Sequence, residues 1–162
     1  MPLVDFDSLP DDARVWVFGS DRPLAPDEAT RLLAMVDAYL ARWAAHGEPL
    51  RSGRDWRDDR FLTIAVDQRT AGASGCSIDA LFRQLQQLER ELGASLVGGG
   101  RVFYRDGRGA LQSTDRGRFT ELATRGEIGP ATLVYDPTVQ TLGAWRRSFE
   151  RPVAESWHAA LI

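Results

Sequence analysis

The sequence predicts an α/β (α+β) fold: a single mixed β-sheet flanked by helices, in the order β-α-β-α-β-β-α-β with a helical tail. Three observations carry this. Two strand-like apolar runs, Arg14-Val15-Trp16-Val17-Phe18 and Phe61-Leu62-Thr63-Ile64-Ala65-Val66-Asp67, are each followed by a stretch with apolar residues at helical spacing. Beyond Gly98-Gly99-Gly100, Arg101 to Tyr104 and Gly109 to Gln112 flank Asp106-Gly107 as two arms of a hairpin. Apolar types make up 43% of 162 residues against 27% charged, enough for a core and against global disorder.

Taken in order, residues 1 to 13 are acidic and interrupted by Pro, an extended lead-in. The first strand is closed by Gly19-Ser20-Asp21. Pro26-Asp27-Glu28 then opens a helix, with Pro in the first turn and acids against the positive end of the dipole. Ala29, Leu32, Leu33, Val36, Leu40 and Trp43 form its core stripe, and Gly47 with Pro49 ends it. Arg51 to Arg60 reads as a charged loop. Phe61 to Asp67, a near-continuous apolar run, reads as a central strand. Gly72 to Ser77 leads into a second helix, whose stripe is Ile78, Leu81, Phe82, Leu85, Leu88 and Leu92 and whose stop is Gly93.

Gly98 to Gly100 is the most flexible point of a single domain spanning 1–162, and a hinge there would separate a β-α-β-α half from a β-β-α-β half. After the hairpin, a short helix runs from about Asp115 to Arg125, stopped by Gly126, and Thr132 to Tyr135 is the last strand. The tail from Leu142 to Ile162 reads as one or two helices broken by Pro152. Alternation of strand and helix in the first half favours parallel pairing there.

Composition excludes several functions. All 20 basic residues are Arg; the chain has no Lys and no Asn. A P-loop needs its Lys and a Schiff-base enzyme needs an amine, so neither chemistry is possible. A net charge of −3 argues against a general nucleic-acid binder. One Cys rules out an internal disulfide, and two His with one Cys cannot build a structural zinc site, so no metal or other cofactor is expected. Charge-free stretches reach only nine residues, such as Thr70 to Ile78, far short of the ~20 that span a bilayer. Asp5, Asp7, Asp11 and Asp12 stand where a signal peptide would carry a basic, apolar leader. The expectation is a soluble, cytoplasmic protein with no membrane insertion.

Candidate site residues come from two loops. In Gly72-Ala73-Ser74-Gly75-Cys76-Ser77, between a central strand and a helix start, Ser74 or Ser77 can cap the helix, and free N–H groups can hold an anion. The same dipole favours a Cys76 thiolate. A plain Gly-rich turn with a Ser cap explains the composition equally. In the Arg51 to Arg60 loop, Arg57 and Arg60 offer guanidinium forks to phosphate or carboxylate, while a solvated, self-paired loop is the alternative. Trp56, amid those charges, is a poor core residue and suits a partner surface.

The leading reading is non-catalytic binding of a partner protein or small anionic ligand, through Ser74, Gly75, Cys76, Ser77, Arg57 and Arg60. The alternative is a thiol-dependent enzyme with Cys76 as nucleophile, His46 as base and Asp67 as orienting group. Asp67 could instead hold a metal or a ligand hydroxyl, or simply begin a turn, and His46 could simply face a helix C-terminus. If the strands run parallel, His46 lies about a strand length, ~17–20 Å, from Cys76, which counts against that triad.

Arg14-Val15-Trp16-Val17, Trp43 with His46, Arg60-Phe61-Leu62, Val66-Asp67, Gly72 to Asp79 and Ser156-Trp157-His158 resemble a bacterial family of about this length commonly labelled "ABC transporter ATPase". The resemblance covers nearly the whole chain. The label implies ATP hydrolysis, which a Lys-free chain cannot perform through a P-loop. Residues 101 to 145 are similar to the β-β-α-β pattern of GYF-like domains, without their Gly-Tyr-Phe triplet. That resemblance implies an aromatic surface for Pro-rich segments.

Overall fold

The computed structural model describes residues 3–45, 47–70 and 78–162. Nine strands and four α-helices follow one another along these residues. They are β1 (Arg14–Gly19), α1 (Pro26–Arg42), β2 (Ala44–Ala45), β3 (Glu48–Pro49), β4 (Ser52–Arg57), β5 (Phe61–Val66), α2 (Asp79–Leu92), β6 (Arg101–Arg105), β7 (Leu111–Asp115), α3 (Arg116–Thr124), β8 (Leu133–Tyr135), α4 (Leu142–Ser148) and β9 (Glu150–Pro152). The fold class is α+β, as the sequence predicts.

The arrangement of strands differs from the expected single mixed sheet. Among the described residues there are three sheets, ordered β1-β5-β4, β2-β3 and β7-β6-β8-β9, and every strand pair is antiparallel. The cause is β4. Ser52 to Arg57 lies inside the segment that reads as a charged loop, yet it forms a hairpin with β5, with Ser52 opposite Val66 and Arg57 opposite Phe61. The hairpin inserts β5 between β1 and β4, so β5 runs against both. An edge strand can carry Arg54, Asp55 and Arg57 because charge there deters further pairing. Asp58 and Asp59 turn the hairpin, both at a φ of +56°, a region where Asp is tolerated.

The two long helices cover one face of the first sheet. Leu32, Val36 and Leu40 of α1 and Leu81, Leu85 and Leu88 of α2 meet Phe18, Leu62, Ile64 and Val66. Arg22 clasps Glu28 with two bonds of 2.8 Å and donates to Leu92 O at 2.8 Å, which ties the start of α1 to the end of α2. No helix among the described residues is long and apolar enough to cross a membrane.

The other face packs on the second sheet. Val15, Phe61 and Ala65 meet Phe103, Tyr135 and, from α4, Leu142 and Trp145. The lead-in contributes here too: it is not merely extended but makes a 3-10 turn at Phe6–Ser8 and buries Phe6, Leu9 and Ala13. On the far side of the second sheet, Val102 and Val134 are covered by Phe119 and Leu122 of α3.

The tail corrects another expectation. Only Leu142–Ser148 is α-helical; Glu150–Pro152 pairs with β8, and 3-10 turns follow at Val153–Glu155 and Trp157–Leu161. Pro152 ends an edge strand, where a missing N–H costs little.

The last turn buries His158 completely, at 0% exposure, with Nδ1 2.6 Å from Ser156 Oγ and the ring stacked on Trp157. Nε2 meets no partner among the described residues. Burial pushes the imidazole pKa from 6.5 down to about 4, and Arg116 acts in the same direction against Asp136. The unfolded chain therefore binds a proton between those values that the folded ring refuses. Stability is full above pH 6.5 and falls by up to roughly 3 kcal/mol as pH drops to 4. Urea unfolding at pH 7 and pH 4.5 checks this: H158Q should flatten the dependence, and an unchanged slope would refute it.

Candidate functional site

In β1, successive residues direct their main-chain groups to opposite sides. The even residues face β5, a pattern that Ser20 continues by donating its N–H to Arg60 O at 2.8 Å. The odd residues face away. Val15 donates to Gln140 O at 3.0 Å, next to an antiparallel bridge between Arg14 and Thr141. Past that point the covering segment leaves the edge, and the N–H and C=O groups of Val17 and Gly19 have no partner among the described residues.

A cleft of about 370 Å³ opens along this edge. Phe18, Phe82, Leu96 and Val97 form one apolar wall, Phe103 and Val139 the other, and Gly98 to Gly100 runs across the end. The loop holding the first wall is fixed from beneath. The Glu89 carboxylate accepts from Leu96 N at 2.5 Å and Val97 N at 2.9 Å, and Ser95 exchanges two bonds with Asp21.

Two cations border the cleft. The Arg14 guanidinium lies 4.8 Å from the Trp16 ring centroid and has no carboxylate partner among the described residues. Arg101 reaches Ser113 Oγ at 3.3 Å and Asp21 only at 3.7 Å. No Asp or Glu among the described residues lines the cleft. The open strand edge is thus bordered by two guanidinium groups, of which Arg101 has Asp21 nearby and Arg14 has no carboxylate partner among the described residues.

Gly19 is fixed by this geometry. A Cβ at position 19 would collide with the Phe103 ring, which fills the space under the edge. G19A should therefore cost about 1–3 kcal/mol through overpacking. Thermal denaturation checks it, and an unchanged midpoint would mean that the ring moves aside freely.

The residues expected from the sequence fall elsewhere. Arg60 is 6% exposed and donates to Ser20 O at 3.3 Å, Asp21 O at 3.0 Å and Leu111 O at 3.1 Å, so its fork is spent on backbone and not on a ligand. Arg57 bonds Asp55 at 2.9 Å and sits 4.4 Å over the Trp145 ring. It is a packing group rather than a free anion receptor. Trp56, expected as an exposed partner contact, packs half-buried against the helical core.

Asp67 is 2% exposed and receives Arg69 through its Nε at 3.0 Å, its Nη2 at 2.8 Å and its backbone N–H at 3.0 Å, with Arg51 at 3.7 Å. The Arg69 guanidinium holds the carboxyl below its ordinary range. Of the alternatives for Asp67, the turn-opening acid fits this geometry. His46, Ser74, Gly75, Cys76 and Ser77 lie outside the described residues. Of the aromatic residues in the GYF-like stretch, Phe103, Phe119, Tyr135 and Trp145 are buried and Tyr104 is half-buried.

A second depression, about 510 Å³, lies between the outer faces of α1 and α2. Its rim is made of long side chains such as Arg83, Gln84 and Gln87, and Arg31 is already paired with Glu91. It offers no open main-chain groups, so the β1 cleft is the stronger site.

Comparison with protein-family models, with curated proteins and with solved structures finds no match for this chain. Sequence reasoning missed Arg14, Val17, Gly19 and Arg101 as a group. Gly19 and Gly98 to Gly100 were visible signals, but which edge of which strand stays open depends on topology.

Proposed function

We propose that the protein is a non-catalytic, cytoplasmic binding protein that takes up an anionic, carboxylate-bearing ligand in the cleft along β1. The observation that carries this reading is the pairing of two arginines, Arg14 and Arg101, with an acid-free lining. A guanidinium fork matches a carboxylate or phosphate in shape as well as charge. The volume falls in the range of small-ligand clefts, and the apolar walls would bury the rest of the ligand. A single cysteine in 162 residues is consistent with a reducing compartment.

Thermal shift against acetate, succinate and inorganic phosphate tests the reading. A bound ligand at about 100 times its Kd adds ~2.7 kcal/mol, which for a chain of this size is a rise of about 5–10 °C. The R14Q/R101Q double variant should lose that rise while keeping its own melting point near that of the wild type, because the exposed Arg101–Asp21 contact contributes little. Flat melting across the panel, or an equal rise in the double variant, would refute the reading.

A further inference from the structure

The open edge specifies the shape of the occupant as well as its charge. Val17 and Gly19 each present an outward N–H and an outward C=O, two residues apart on one strand. That repeat is about 6.6–6.8 Å, the period at which an extended chain presents its own donors and acceptors. A compact anion reaches one such residue; an extended segment reaches both.

The chain itself begins this pairing and then abandons it. Gln140 and Thr141 run antiparallel along Arg14 and Val15, and three residues back stands Pro137, which has no N–H to donate. Val17 therefore begins the stretch of edge that another strand can take. A strand laid there would alternate its side chains between the Phe82, Leu96 and Val97 wall and the Phe103 and Val139 wall. Apolar residues suit both walls.

We propose that the cleft binds an extended peptide segment, which adds to β1 as an antiparallel strand through Val17 and Gly19 and places a carboxylate at its C-terminal end against Arg14. The proposal rests on the anion-binding reading above and narrows it to a peptide. Main-chain bonds supply the affinity, alternate side chains the fit, and the Arg14 guanidinium the preference for an acidic end. Antiparallel pairing brings the C-terminal end of the segment to the Arg14 end of β1, beside the cation that has no carboxylate partner among the described residues.

The test uses the full chain and a pool of N-acetylated, C-amidated tetrapeptides with Val, Thr or Leu at the first three positions and Asp, Glu or Gln at the fourth. Members ending in Asp or Glu should be retained, at least tenfold tighter than their Gln counterparts, and R14Q should erase that preference. N-methylation of the peptide amides that face β1 should weaken binding at least tenfold, and V17P, which removes an outward N–H from an edge strand, should do the same. If V17P does not fold, the N-methylated peptides decide alone. Equal binding of N-methylated and parent peptides would overturn the proposal. So would a pool in which nothing binds while succinate still raises the melting point of the wild type, and in that case the anion-binding reading stands. If succinate, acetate and phosphate are silent as well, both fall.

Discussion

Replacing Phe61 with Ala should lower stability by about 3–5 kcal/mol. Phe61 is 0% exposed, and its ring centroid lies 4.9 Å from Phe103, 5.2 Å from Tyr135 and 5.1 Å from Phe149. It is the point where the first sheet meets the second sheet and the tail. Three aromatic contacts at these distances add ~0.5–1.5 kcal/mol each beyond simple burial. Since a domain is stable by only ~5–15 kcal/mol, F61A should leave a marginal fold. Urea denaturation measures it: the midpoint should fall sharply, with F61L in between. A loss below about 1 kcal/mol would mean that the two sheets do not pack as described.

The second large effect is at Arg60. R60A should cost about 3 kcal/mol, because it strips a donor from Ser20 O, Asp21 O and Leu111 O and opens space in the interior. Burial pulls the Arg60 pKa down, and Asp21 acts weakly against that, but a guanidinium stays charged at any ordinary pH. R60K keeps the charge and loses the fork. An ammonium on a flexible stem cannot bridge the carbonyls at Asp21 and Leu111 together, so R60K should recover less than half of the loss. Full rescue by Lys would show that charge alone matters.

The helices were legible because their burial is periodic. Leu32, Val36 and Leu40, then Leu81, Leu85 and Leu88, are stripes that only a helix can bury together. The central strand was legible for the opposite reason: all six residues of β5 are buried, which a helix of that length would not require. β4 was hidden because charged side chains stand on both of its faces, Arg54 bonding Asp37 of α1 on one and Arg57 lying over Trp145 on the other, and the charge-based reading of Arg51 to Arg60 as a loop followed from that. Sheet direction was hidden for a related reason. Once β4 is missed, β1-α1-β5 looks like a parallel crossover unit, whereas the parallel partners joined by α1 are β1 and β4, with β5 between them.

The candidate site was less legible. Arg57 and Arg60 stood out by charge, but sequence does not show whether a guanidinium faces water, a ring or a row of carbonyls. The cleft exists because Gln140 and Thr141 cover only the first part of the β1 edge, a contact between residues more than 120 positions apart. No local pattern encodes it.

Amide chemical shifts during a succinate titration of the uniformly ¹⁵N-labelled protein test the central claim most directly. The cleft along β1 predicts saturable shifts at Arg14 to Gly19 and at Gly98 to Arg101, with the outer faces of α1 and α2 unmoved. Shifts confined to those helices, or none that saturate anywhere along β1, would contradict it.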